Sequence, residues 1–159
     1  MFWAAFSYRI HTPLIVMERD QESKKKGYTA RIYRQVLDNY LAPIIDEDAI
    51  FMQDNAPIHT AFIVKDWLEE HLITVMKWPA YSPDLNPIEN LWAILKREIY
   101  KYYPELLTAP NTEETKDRLI TAAQYIWEHL GDQILQNLAD TMPHRVAAVI
   151  KAEGWYTKY

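Results

Sequence analysis

The sequence predicts an α/β domain closed by a helical tail. Three features point there. Short strand-like apolar runs alternate with amphipathic helical repeats through the first half. The run Ala49-Ile50-Phe51-Met52 is continuous rather than alternating, as expected of a strand buried on both faces. From Pro87 onward only helical periodicity is found. A length of 159 residues suits one domain with a real core. A hydrophobic share of 49% and an aromatic share of 13% exclude disorder. No apolar run approaches the roughly 18–20 residues that span a bilayer, and Met1-Phe2-Trp3 lacks the basic flank of a signal peptide. Cysteine is absent, which excludes disulfides and thiolate metal sites and fits a reducing compartment.

The elements follow in order. Phe2 to Tyr8 and Thr12 to Glu18, linked by Arg9-Ile10-His11, predict a β-hairpin, and the polar stretch Arg19 to Gly27 a loop. Thr29 is placed to cap a helix with Ile32, Tyr33, Val36, Leu37, Tyr40, Leu41 and Ile44 inward. The acids Asp46 to Asp48 turn the chain into the strand over 49–52, which ends in Gln53-Asp54 and breaks at Asn55-Ala56-Pro57. A helix capped by Thr60 follows, with Ile63, Val64, Trp67, Leu68 and Leu72 inward. Ile73 to Trp78 reads as a last short strand and Pro79 to Asp84 as an ordered loop. The third helix runs from Pro87 to about Tyr103 and stops before Pro104, with Ile88, Leu91, Trp92, Leu95, Ile99 and Tyr102 inward. A fourth starts at Asn111 with Glu114 in a capping box and ends near Gly131; further helix from Asp132 is interrupted near Met142-Pro143.

Two segments carry chemistry. Gln53 to His59 puts Asp54 at the carboxyl end of a strand, the edge where open α/β sheets bind ligands. Trp78 to Trp92 contains Asn86 as an N-cap, Pro87 at the first helical position and Glu89 at N3. Local physics also offers plainer roles: Asp-Asn is common turn chemistry, an acid at N3 stabilises a helix unaided, and a histidine before a helix is commonly a hydrogen-bonded loop residue. The net charge of −5 argues against bulk attraction to nucleic acid, and Lys24-Lys25-Lys26 with Arg31 and Arg34 reads as a solvated loop.

The blocks Gln53–Ala61 and Trp78–Trp92 resemble the two signature blocks of Tc/mariner superfamily DDE transposases. Asn55 through Ile88 places 34 residues between Asp54 and Glu89, the spacing of the branch whose triad is Asp, Asp, Glu. Trp3-Ala4-Ala5-Phe6-Ser7 is similar to the family's second core strand, with Ala4 where glycine is more usual. Thr141-Met142-Pro143-His144-Arg145, Val149 to Gly154 and Lys158-Tyr159 resemble its closing motif, with His144 in place of a basic residue.

The resemblance implies a ribonuclease-H-like mixed sheet with flanking helices, incomplete because the first central strand is absent, and a helical C-terminal tail. It implies a partial catalytic core over 1–103 and a C-terminal helical part of the same domain over 104–159. It implies Asp54 and Glu89 as catalytic metal ligands, with Asn55, His59 and Asn86 orienting them, and two Mg²⁺ or Mn²⁺ ions in the complete site. The triad's first Asp belongs on the absent strand. The other acids near strand ends, Glu18, Asp20 and Asp46 to Asp48, fall on the wrong edges of the family's sheet to replace it. The expected function is therefore a transposase-type DDE endonuclease, cleaving and transferring DNA strands, truncated and inactive alone. The alternatives are a segment completed by an upstream piece, or a non-catalytic interaction protein derived from a transposase. Transposon-end and target DNA, a homodimer, and the nucleus are further implications; the chain carries no targeting signal of its own.

Overall fold

The structure is a computed structural model that describes residues 1–79, 82–155 and 157. It divides into two compact units, one of Met1–Trp3 with Ile15–Asn86 and one of Ala4–Leu14 with Pro87–Tyr159.

The first unit holds the strands. β1 (Phe2–Trp3) pairs antiparallel with β2 (Ile15–Val16), Phe2 opposite Val16 and Trp3 opposite Ile15. β3 (Ile50–Phe51) pairs parallel with β4 (Thr74–Val75). The described residues thus form two separate two-stranded sheets where one mixed sheet was expected. Phe51 is buried but Ile50 is 57% exposed, so β3 is covered on one face and not on both. Its continuous apolar run expresses β-propensity more than burial.

Helix α1 (Ala30–Val36) begins as predicted: the amide of Ile32 donates to Thr29 Oγ1 at 3.4 Å. It runs on through a π-helical turn, Leu37–Leu41, that keeps Leu37 and Leu41 inside and leaves Tyr40 at the surface. Helix α2 (Phe62–Glu70) packs on α1 and buries Val64, Trp67 and Leu68. The Trp67 indole donates to Asp38 at 3.2 Å. Thr60 does not cap α2, because its hydroxyl donates back to the Ala56 carbonyl at 3.3 Å and the cap position falls to Ala61. Ile63 and Leu72 are exposed, against expectation. Leu72 sits at φ 56° in the left-handed turn after α2, where the Ile73 amide reaches the Leu68 carbonyl at 2.9 Å, and that turn swings its side chain out.

One loop acid is deeply engaged. Asp20 is 4% exposed and accepts from Thr29 Oγ1 at 2.7 Å, from Arg31 Nε at 3.2 Å and from the Glu22 amide at 3.1 Å. Asp20 therefore anchors the turn that leads into α1.

The second unit is helical: α3 (Pro87–Tyr102), α4 (Glu113–Glu128), α5 (Asp132–Asp140) and α6 (Met142–Lys151). α3 starts at the predicted residue and buries Leu91, Leu95 and Ile99; Tyr102, in the last turn before Pro104, is 61% exposed rather than inward. α4 is capped by Thr112, whose hydroxyl accepts from the Thr115 amide at 3.2 Å, so the box predicted from Asn111 and Glu114 does not form. The break between α5 and α6 comes at Thr141, with Pro143 in the first turn of α6 where its missing amide costs nothing. Trp127 centres this unit. It is fully buried, stacks on Trp92 with ring centroids 5.4 Å apart, and donates its indole N–H to the Thr12 carbonyl at 2.8 Å. Among the described residues no helix is long and apolar enough to cross a membrane.

The Arg31 guanidinium and the Thr29 hydroxyl hold the Asp20 carboxyl well below the usual carboxylate range. A carboxyl depressed on folding contributes stability that is fully present above its unfolded value of about 3.9 and is lost as pH falls toward the folded value. Asp20→Asn is expected to lower the melting temperature at pH 7 and to flatten the acid limb below about pH 4. Thermal melts between pH 2 and 7 check this; an acid limb as steep as that of the parent would contradict it.

Candidate metal-binding and nuclease site

The turn after β3 is where the sequence concentrates its chemistry. β3 ends at Phe51, and Asp54 bends the chain by accepting the Ala56 amide on its own Oδ1 at 2.9 Å, an Asx turn. The Asn55 side chain donates its amide to the Trp78 carbonyl at 3.0 Å, tying the turn to the chain beyond β4. Asn55 thus fixes the backbone beneath Asp54 and does not touch its carboxylate.

His59 closes on the same carboxylate. Its Nδ1 lies 2.7 Å from Asp54 Oδ1 and 3.3 Å from the Asp54 carbonyl oxygen. Both are acceptors, which assigns the ring proton to Nδ1. The imidazole is only 19% exposed and the Asp54 side chain 56% exposed. Oδ1 is therefore held by two donors, whereas no described residue hydrogen-bonds Oδ2. A half-exposed carboxylate with one oxygen held by two donors is a suitable hard ligand for a divalent cation.

Sequence reasoning missed what lies beneath this pair. Tyr33, on α1, is 1% exposed; its ring sits 4.4 Å from the His59 ring, tilted by 35°, and its hydroxyl donates to Gln53 Oε1 at 2.7 Å. Burial pushes the Tyr33 phenol up; the Trp3 side chain offsets part of that and the Asp54 charge adds to it. The phenol is thus neutral and a donor throughout the physiological range. Periodicity marked Tyr33 as core and gave no sign of its partners.

Asn86 and Glu89 open α3. The 3₁₀ turn Pro83–Leu85 delivers Asn86 in an extended conformation, φ −87° and ψ 107°, directly before Pro87. Glu89 lies in the first turn of α3 and is exposed. Asn86 ends the first unit and Glu89 falls in the second. Ala80 and Tyr81, within the loop expected over Pro79–Asp84, lie outside the described residues, as do Lys158 and Tyr159 of the closing motif.

The first turn of α3 is anchored from α6. Arg145 is 2% exposed; its Nη2 donates to Asn90 Oδ1 at 2.6 Å and its Nε to Thr141 Oγ1 at 2.8 Å. The closing motif resembled by Thr141 to Arg145 thus holds the residue next to Glu89. Spacing cannot reveal such a link across 55 residues.

No three His, Cys, Asp or Glu side chains form a metal-binding group among the described residues. The other acids of this unit do not join Asp54: Asp20 is spent on Arg31 and Thr29, and Asp46 to Asp48 are exposed in the turn before β3.

Comparison with known proteins decides the family. Residues 3–106 match the DDE superfamily endonuclease family. The chain belongs to this family. It is 33% identical over 163 residues to the transposable element Tcb2 transposase of Caenorhabditis briggsae, and 31% identical over 159 residues to the Tc1 transposase of Caenorhabditis elegans. Each alignment covers 100% of this chain and 54% of the relative, so the chain spans about half the length of these relatives. The Mos1 transposase catalytic domain, solved with Raltegravir and Mg, shares its fold, with a TM-score of 0.69 at 22% identity over 99% of this chain and 84% of that one. The Mos1 transposase in a paired-end complex with the left transposon end matches with a TM-score of 0.61 at 26% identity, covering 80% of this chain and 37% of that chain. The chain is thus a Tc/mariner-type DDE domain that shares the α/β fold of the Mos1 catalytic domain.

The Arg145 anchor gives a stability prediction. Arg145→Met keeps the aliphatic volume but leaves Asn90 and Thr141 without their buried donor, at a cost of about 1–3 kcal/mol. Urea unfolding measures it; a midpoint and slope equal to those of the parent would exclude the anchor.

Proposed function

We propose that the chain supplies two of the three carboxylates of a DDE endonuclease that cleaves and joins DNA strands at transposon ends. The observation that carries the reading is the Asp54 carboxylate, fixed in the turn after β3 by His59 and the Ala56 amide within a chain of the DDE family. Asp54 and Glu89 would hold divalent cations, Mg²⁺ or Mn²⁺, two in the complete site. Mos1, whose catalytic domain is solved with each of these metals, supports that assignment. When bound, such ions lower the pKa of a coordinated water and stabilise the leaving oxygen of a phosphodiester.

The chain's own residues prepare this chemistry. His59 keeps Oδ1 of Asp54 occupied and leaves Oδ2 for a cation, and Asn55 secures the turn against β4's exit. Asn86 ends the extended link into α3, whose first turn carries Glu89 and is braced by Arg145 through Asn90. Residues 1–103 form the core part of this catalytic domain and 104–159 its helical part.

On this reading the third carboxylate and its central strand are not among β1 to β4. The separation of β1–β2 from β3–β4 supports this, because a central strand would join them. The partners on this reading are transposon-end and target DNA, bound by a homodimer in the nucleus. Basic surface for gripping DNA is not concentrated here: the net charge is −5.

The test is nicking of supercoiled plasmid with Mg²⁺ or Mn²⁺. The segment 1–159 alone is expected to leave plasmid intact. A chain extended by one strand bearing an Asp is expected to nick it, with a loss of at least about a hundredfold in Asp54→Ala or Glu89→Ala. Robust nicking by the segment alone, or nicking by the extended chain that survives Asp54→Ala, would refute the assignment.

A further inference from the structure

We infer that Tyr33 is a positioning residue for the Asp54 carboxylate, acting through the His59 ring and the Gln53 side chain. Its functional consequence rests on the reading of Asp54 as a cation ligand.

Asp54 has two covalent or hydrogen-bonded neighbours that could let it drift. Gln53 precedes it in the chain, and His59 holds its Oδ1 at 2.7 Å. Tyr33 fastens both. The phenol O–H donates to Gln53 Oε1 at 2.7 Å, which pins the side chain immediately before Asp54. The phenol ring lies 4.4 Å from the imidazole and covers one of its faces. That face contact limits rotation of the imidazole about its Cβ–Cγ bond. The Nδ1 proton then stays aimed at Oδ1 and not at solvent.

The support is itself rigid. Tyr33 lies in the Thr29-capped first turns of α1, between the Asp20 anchor and the buried pair Val36 and Leu37. At 1% exposure the ring has no alternative rotamer open to water, and burial keeps the hydroxyl protonated as a donor. A core tyrosine needs one hydrogen-bond partner. This one meets that need at the residue before the candidate ligand, while its ring meets the residue that grips that ligand.

Tyr33→Phe removes the hydroxyl and keeps the ring; Tyr33→Leu removes both. In the metal-free chain, ¹H–¹⁵N spectra should show a protected His59 Nδ1–H with nuclear Overhauser contacts to the Tyr33 ring. That signal should persist in Tyr33→Phe and broaden in Tyr33→Leu. The Trp67 indole N–H, held by Asp38, reports in the same spectra that the fold is intact. Mn²⁺ titration, read as paramagnetic broadening around Asp54, should weaken roughly three- to tenfold in Tyr33→Phe, the effect of one hydrogen bond, and further in Tyr33→Leu. Asp54→Asn should abolish it.

If both Tyr33 variants bind Mn²⁺ as the parent does while Asp54→Asn does not, the positioning role is wrong and the metal reading stands. If the parent shows no Asp54-dependent broadening, the metal reading falls. The metal-free His59 signal then decides alone: its persistence unchanged in Tyr33→Leu overturns the inference, and its loss sustains it. Loss of the Trp67 signal in Tyr33→Leu would reassign that variant's effects to unfolding, and an unchanged Mn²⁺ affinity in Tyr33→Phe would then overturn the inference.

Discussion

The hydrogen bond from the Ala56 amide to Asp54 Oδ1 sets the geometry on which the candidate site depends. A strand that ends must turn its backbone without leaving amides unpaired, and here the side chain of the candidate ligand supplies the missing acceptor. The same bond that closes the turn therefore orients the carboxylate. His59 adds a second donor to the same oxygen, and Asn55 ties the turn to the Trp78 carbonyl. On the proposed reading one residue carries a structural and a chemical duty, so Asp54 as a turn former and Asp54 as a cation ligand do not exclude each other.

The first helix of the first unit works as the floor of that turn. Its position is fixed upstream by Asp20, whose buried carboxyl gathers Thr29, Arg31 and the Glu22 amide, and Thr29 in turn caps the helix. Tyr33 then stands one turn in, under Gln53 and His59. The chain of dependence runs from a loop acid through a helix cap to a buried phenol and so to the candidate ligand. In the second unit an analogous bracing operates on α3: Trp127 and Trp92 stack in the core, and Arg145 reaches from α6 to Asn90 beside Glu89.

How much of this the sequence disclosed follows from the range of each interaction. Thr29 as a cap and Pro87 as the start of α3 rest on residues within a few positions of one another, and the structure places both so, whereas β3 stops at Phe51, three residues before Asp54. Local signals misled where two neighbours competed: Thr112 caps α4 in place of Asn111, and the Thr60 hydroxyl turns back to Ala56. Helical periodicity overextended the apolar faces at the helix ends: Leu72 lies beyond α2, and Tyr102 in the last turn of α3 is exposed. The Tyr33–Gln53 and Arg145–Asn90 bonds join residues 20 and 55 positions apart, which no periodic pattern encodes. Family blocks point to the candidate acids, and only tertiary structure shows what lies around them.

Anomalous diffraction from crystals grown with Mn²⁺ tests the central claim, that Asp54 is a metal ligand, most directly. The account predicts an anomalous peak at coordination distance, about 2.0–2.6 Å, from Oδ2 of Asp54, with His59 still on Oδ1. A Mn²⁺ peak elsewhere in the chain with none at Asp54, in crystals where the carboxylate is open to solvent, would contradict it.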